Sequence, residues 1–168
     1  MTSEGHWHSA VVYQIYWRSF KDGNGDGIGD LKGLRSKIGY LSSLGVDAIW
    51  LNPTYPSPQG DHGYDVSNYF DVDPLFGTLE ELEQAIDEFH DHGMAVLLDI
   101  VPNHVSSQHP WFISAKEGGH GHEAESRFII RQGKGDSGGT PPNDWKSVFG
   151  GPASVSYTHL TLPTTGIV

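Results

Sequence analysis

Three short stretches of the chain carry side chains able to do chemistry, at spacings that would present them together. Asp99-Ile100-Val101-Pro102-Asn103-His104 follows directly on the apolar run Ala95-Val96-Leu97-Leu98, so a strand hands an Asp, an Asn and a His to its own C-terminal end. Asp61-His62-Gly63-Tyr64-Asp65 stands at the end of the preceding strand unit. Carboxylates at Asp61, Asp65 and Asp99 suit acid–base work or acceptance of hydrogen bonds from hydroxyls; turn formation and capping compete for them, and would satisfy Asp65 most readily. Tyr64, between acidic residues in a Gly-containing loop, is a candidate stacking surface for a flat ligand face, whereas Trp50 reads as core. His62 and His104 lack the His-x₃-His or Cys-pair spacing of a zinc site and read as hydrogen-bonding histidines.

The third stretch, Asp22-Gly23-Asn24-Gly25-Asp26-Gly27-Ile28-Gly29-Asp30, puts oxygen side chains at positions 1, 3, 5 and 9 of a tight loop, with Gly at 6 and the Ile28 carbonyl at 7. Hard cations take such an oxygen set. The bidentate Glu of a calcium switch is absent, Gly33 standing at position 12. The pattern therefore predicts a structural Ca²⁺ or Mg²⁺ site on Asp22, Asn24, Asp26, Ile28 and Asp30, with an ion-free Gly/Asp/Asn turn as the alternative. The alternating glycines carry no Gly-Lys-Ser/Thr, and their acidic neighbours would repel phosphate, so no nucleotide or other organic cofactor is expected.

The elements that must position these residues are legible as hydrophobic periodicity. Val11–Tyr16, Val46–Leu51 and Ala95–Val101 are short apolar runs bounded by turn formers, hence three strands. Leu31, Leu34, Ile38, Leu41 and Leu44 recur at steps of three and four, which predicts one amphipathic helix stopped by Gly45. Thr78 with Glu81 forms a capping-box signature ahead of Leu82, Ala85, Ile86 and Phe89, with Gly93 as the stop. The β-α-β-α-β order with nearly continuous apolar strands predicts a parallel sheet covered by helices. Active sites of α/β barrels lie at the C-terminal ends of the strands, which makes a carbohydrate-processing barrel the leading reading. A barrel needs roughly 250 residues, so three strand units amount to an incomplete (β/α)₈ TIM barrel.

After Val105 the rhythm breaks into a Gly/Pro-rich stretch with Gly118-Gly119, Gly138-Gly139 and Pro141-Pro142 around one apolar run, Phe128-Ile129-Ile130. A segment of that length is functional or a small subdomain. No Asp, Glu, Lys or Arg follows Lys146. Residues 154–168 depart so far from the preceding style that they read as foreign to the gene, an exposed strand pair or a disordered tail being the alternatives.

Composition narrows the function classes. With 21 acidic against 10 basic residues the net charge is −11, which argues against a nucleic-acid partner or an anionic membrane surface. The absence of Cys removes disulfides and thiolate chemistry and fits a reducing compartment. The first residues show no basic n-region with an apolar h-region and no stretch approaches the length of a membrane span, so a cytoplasmic location is expected.

At the level of motifs the chain resembles the N-terminal part of the α-amylase family of glycoside hydrolases, within its α-glucosidase and oligo-1,6-glucosidase branch. The resemblance rests on Val12-Tyr13-Gln14-Ile15-Tyr16-Trp17-Arg18-Ser19-Phe20, the Asp22–Asp30 loop, Gly63-Tyr64-Asp65-Val66 with Asp71-Val72-Asp73-Pro74-Leu75-Phe76-Gly77, and Asp99–His104, and runs from about Val11 to Ala153. It implies that Asp61 holds outer hydroxyls of a terminal glucose, Tyr64 stacks on that glucose, His104 hydrogen-bonds its 6-hydroxyl, and Asp99 supports the site from below. It likewise implies that Asp22, Asn24, Asp26, the Ile28 carbonyl and Asp30 hold the ion. Residues 1–104 would then be the first three barrel units. Residues 105–153, including Asn143-Asp144-Trp145 and Ser147–Gly151, would open the small domain B that the family inserts after its third strand. The nucleophile and acid/base pair of the retaining reaction would lie beyond the segments present, none of it among these residues. The expected function is hydrolysis of terminal α-linked glucose from short α-glucosides or oligosaccharides by the parent enzyme, this chain being a truncated, inactive first third. A transferase or isomerase of the trehalose synthase type, and a non-catalytic sugar-binding or transporter-associated relative, are the competing readings.

Overall fold

A computed structural model describes residues 6–118, 123–131, 133–135, 139–147, 150–157 and 160–163. Gly119, Gly138, Val148, Phe149 and the two ends, Met1–Gly5 and Thr164–Val168, named in the sequence reading, lie outside them. The chain divides into two compact units, Met1–Asn103 and His104–Val168.

The first unit contains strands β1 (Val12–Ile15), β2 (Ala48–Leu51) and β3 (Ala95–Leu98), joined by helices α1 (Trp17–Phe20), α2 (Leu31–Arg35), α3 (Ile38–Ser43) and α4 (Leu79–Asp91). The sheet is parallel in the order β1-β2-β3, with Val12↔Ala48↔Ala95 and Ile15↔Leu51↔Leu98 as end rows. The strands are shorter than their apolar runs. β3 stops at Leu98, and the Asp99 N–H to Leu51 O bond (3.3 Å) closes the ladder, so Asp99 to Val101, expected as strand, are not strand.

Alternation along the strands sorts their side chains onto two faces. Ile15, Ile49 and Leu51 are fully buried with Leu31, Leu34, Leu41, Leu82, Ala85 and Phe89 of the helices. The other face carries Gln14, Trp50, Asn52 and Asp99. Trp50, expected in the core, is instead 37 % exposed on that second face.

α4 begins as its sequence predicts. Thr78 Oγ1 accepts from the Glu81 N–H (3.2 Å) while the Glu81 carboxylate accepts from the Thr78 N–H (2.9 Å). The single helix expected over Leu31–Leu44 is two. Ser36 Oγ donates to the Gly33 carbonyl (2.6 Å), and Lys37 N–H bonds Leu34 O, a tightened turn that ends the first helix. Leu44, expected on the apolar face, is 48 % exposed beyond the break. The first of the two helices, α2, is tied to α4 by its last residue, Arg35, whose Nε donates to both oxygens of Glu88 (3.1 and 3.0 Å).

In the second unit the sequence reading missed a helix, α5 (Pro110–Gly118), and the 3₁₀ turn Glu123–Arg127 after it. Phe128 of the apolar run meets Phe112 edge-on at 5.6 Å, Ile130 is buried and Ile129 is exposed; among the described residues the run is no strand. Ser154–Tyr157 (β4) and Leu160–Pro163 (β5) pair as an antiparallel hairpin. Among the described residues no helix is long and apolar enough to cross a membrane.

Candidate functional site

The parallel register puts Tyr16, Asn52 and Asp99 one step beyond the last paired row, at the C-terminal edge of the sheet. The loop after β2 brings Tyr64 back over this edge. His62 (φ 53°) and Gly63 (φ 99°) adopt left-handed backbone there, and the Tyr64 N–H closes the turn onto Asp61 O at 2.9 Å. Asp65 clamps the loop: its carboxylate accepts from Ser57 Oγ (2.6 Å), Gly60 N–H (2.9 Å) and Asp61 N–H (3.1 Å). This is the turn-forming use expected of it.

Tyr64 and Asp99 are brought into direct contact, the phenol O–H donating to Asp99 Oδ2 at 2.9 Å. Asp99 Oδ1 accepts from the Trp50 indole N–H at 2.7 Å, and the Asp99 carbonyl accepts from Tyr55 at 3.1 Å. Asn52 Nδ2 donates to the Tyr64 oxygen (3.2 Å), and Gln14 Nε2 donates to Asn52 Oδ1 (3.1 Å). The Asn52 backbone is fixed as well, its carbonyl accepting from the buried Trp17 indole at 2.9 Å. Burial, then the hydrogen bond to Asp99, then the charges of Asp99 and Asp61 push the Tyr64 phenol up to about 12. At neutral pH Tyr64 is therefore a donor and not a base. Half-buried Asp61 stands close enough to contribute to that shift, whereas His62 faces Tyr16 Oη across 3.1 Å on the exposed rim. His104 is the first residue of the second unit and is exposed.

Two carboxylates around a phenol and an indole can accept hydrogen bonds from a neutral polyol while offering it an aromatic ring. Sequence reasoning missed Gln14 and Asn52 and misassigned Trp50; the strand register was the signal that would have grouped them.

The 22–30 loop shapes itself through side chain-to-backbone bonds. Asp22 accepts from the N–H groups of Asn24 (3.0 Å), Gly25 (2.6 Å) and Gly27 (2.9 Å), Asn24 Oδ1 from Asp26 N–H (2.9 Å), and Asp26 Oδ1 from Ile28 N–H (2.8 Å). The Gly25 and Gly27 amides hold the Asp22 carboxyl below its ordinary value. Asp30 is buried and caps α2 through the Gly33 N–H (2.6 Å). Among the described residues no three His, Cys, Asp or Glu side chains form a metal-holding group. The donor chemistry of the loop, carboxylate, amide and carbonyl oxygens alone, fits a hard cation.

Residues 14–159 match the model of the α-amylase catalytic domain. The chain belongs to the α-amylase family. It is 50 % identical over 147 residues to a probable α-glucosidase of Rhizobium meliloti (strain 1021), covering 88 % of this chain and 26 % of that protein. It is 48 % identical over 161 residues to the probable oligo-1,6-glucosidase 3 of Bacillus subtilis (strain 168), covering 92 % and 28 %. It thus spans about a quarter of the length of the curated relatives it matches. A mutant of the trehalulose synthase MutB in complex with sucrose superposes with a TM-score of 0.88 at 44 % identity, covering 96 % of this chain and 29 % of that one. The trehalose-6-phosphate hydrolase TreA of Bacillus licheniformis superposes at 0.85 and 40 % identity, covering 94 % and 28 %. The three parallel strands are accordingly part of a (β/α) barrel.

Proposed function

We propose that this chain forms part of the glucose pocket of a retaining α-glucosidase acting on short α-glucosides. The observation that carries the reading is the Tyr64–Asp99 hydrogen bond with Asp61 alongside, at the strand ends of a chain about half identical to enzymes named α-glucosidases and oligo-1,6-glucosidases. In this reading Asp61 accepts from outer hydroxyls of the terminal glucose, Tyr64 offers its ring to the sugar face, His104 bonds the 6-hydroxyl and Asp99 holds Tyr64 in place. Asp61 and Asp99 are not the reacting pair. Retention needs a nucleophile and an acid/base carboxyl about 5–5.5 Å apart, supplied by further barrel strands. The 22–30 loop holds a structural Ca²⁺ or Mg²⁺ on Asp22, Asn24, Asp26, the Ile28 carbonyl and Asp30, supplying no step of the reaction.

Glucosyl transfer or isomerisation is the second reading, favoured by the likeness to a trehalulose synthase. Product analysis separates the two. In the context of a complete barrel, maltose and isomaltose should release free glucose, whereas conversion of supplied sucrose mainly into an isomer of sucrose would support transfer or isomerisation. Asp61→Ala should cost at least about tenfold in kcat/KM, the value of one charge-assisted hydrogen bond, and an unchanged kcat/KM would remove Asp61 from the pocket. The 168-residue chain by itself should turn over no aryl α-glucoside. Calorimetric titration with Ca²⁺ and Mg²⁺ should find one site, weakened by Asp26→Ala.

A further inference from the structure

Donor and acceptor chemistry fixes the direction of every bond in the chain Gln14–Asn52–Tyr64–Asp99. The Asp99 carboxylate only accepts, and its other oxygen is already engaged by the Trp50 indole, which only donates. The phenol hydrogen of Tyr64 must therefore go to Asp99 Oδ2. With its hydrogen committed, the phenol oxygen offers Asn52 only lone pairs, so Asn52 must present Nδ2 to it. That turns Asn52 Oδ1 toward Gln14, which must present Nε2. Neither amide has a free choice of flip. Asn52 is 8 % exposed, and its backbone N–H and carbonyl are anchored to Ile15 and Trp17, so the side chain works from a fixed base.

We propose that Gln14 and Asn52 are positioning residues: a one-way hydrogen-bond relay that holds the Tyr64 phenol as a donor to Asp99 and its ring in one orientation for the sugar. The sugar's part in this rests on the glucose-pocket reading above; the relay itself does not.

Isosteric substitutions of reversed polarity test it. Asn52→Asp and Gln14→Glu keep shape but, when ionised, offer an acceptor where the relay needs a donor. When protonated, each new carboxyl carries an O–H that restores the relay. The carboxyl introduced by Asn52→Asp should thus titrate about a unit or more above the ordinary value of about 3.9. Its stabilising contribution is then present below the ordinary value and lost as pH rises through the raised one. The ring signal of ¹³C-labelled Tyr64, assigned by Tyr64→Phe, should match the unsubstituted chain at acid pH and depart from it at neutral pH in both variants. Gln14→Met should depart equally at both. A carboxyl titrating at its ordinary position, with Tyr64 signals unchanged at either pH, would overturn the relay.

Glucose added to the same variants in the context of a complete barrel separates the relay from its part in sugar binding. The unsubstituted chain should show a Tyr64 response, weakened roughly tenfold by Asn52→Asp at neutral pH and recovered on acidification. No glucose response in the unsubstituted chain, with the carboxyl still shifted, overturns the sugar reading and leaves the relay standing.

Discussion

Gly33→Ala sets helix propensity against close packing, and the structure says which wins. Gly33 lies inside α2 without a positive φ, so an Ala there should gain roughly 0.5–1 kcal/mol from reduced chain entropy. The added Cβ would, however, stand 1.9 Å from the Lys21 carbonyl oxygen and 2.7 Å from its carbon, where real Cβ atoms keep at least 3.0 Å. Either side must retreat by about an ångström, and both are tied down. Lys21 O accepts from the Asp30 N–H at 3.1 Å, and the Gly33 N–H donates to Asp30 Oδ1 at 2.6 Å. Overpacking costs about 1–3 kcal/mol and each of the two strained hydrogen bonds about 0.5–1.5 kcal/mol, so with the propensity gain taken off the central values leave a net loss of about 3 kcal/mol. Gly39, in α3, has nothing within 4 Å of its would-be Cβ, and Gly39→Ala should leave stability unchanged or raise it by up to about 1 kcal/mol. Urea unfolding followed by circular dichroism reads both. At about 1–3 kcal/mol per molar urea, the Gly33→Ala midpoint should fall by about 1 M or more relative to Gly39→Ala. Equal midpoints would refute the steric argument. The same retreat displaces the Asp30 carboxylate, so Gly33→Ala should also weaken the Ca²⁺ or Mg²⁺ binding proposed for the 22–30 loop while Gly39→Ala leaves it intact.

Thr78→Ala removes one arm of the capping box and should cost about 1 kcal/mol in the same assay; a loss under about 0.3 kcal/mol would mean that water caps α4 equally well. His109 sits at the start of α5 and takes the Trp111 N–H on Nδ1 (3.1 Å), which needs the neutral ring; Arg127 lies 5.6 Å over the Trp111 ring, and burial lowers the His109 value. With the folded value depressed, this stabilisation is complete above about 6.5 and fades as pH falls through the lowered value. Amide protection factors in α5, taken relative to the intrinsic exchange rate at each pH, should fall on acidification, and His109→Asn, a cap without a titrating ring, should flatten that dependence. Ultraviolet titration should find the Tyr64 phenol ionising at about 12, and Asp99→Asn should bring it only part of the way back, because burial is the larger cause. A full return to the ordinary value would assign the shift to Asp99 alone.

Much of the scaffold was legible because single side chains carried it. The β-α-β-α-β order followed from apolar runs, and both arms of the capping box at Thr78 and Glu81 followed from two residue types three apart. The split between α2 and α3 was not legible, since Leu31, Leu34, Ile38, Leu41 and Leu44 keep a helical step straight through it. A serine hydroxyl competing for one carbonyl outweighed a pattern of five apolar side chains.

The relay was hidden for a different reason. Strand alternation sorts residues onto faces but leaves open which face the helices cover, and Trp50 looks equally apolar on either. Only the register, Gln14↔Trp50 and Ile15↔Leu51↔Leu98, puts Asn52 and Asp99 at one level and within reach of a returning Tyr64. Each of these residues read alone has an ordinary use: an Asn ending a strand, a Gln within one, a Tyr in a loop. Their function lies in the order of donors and acceptors across three strands, and that order follows from one fact visible in the sequence, an Asp at the end of the third.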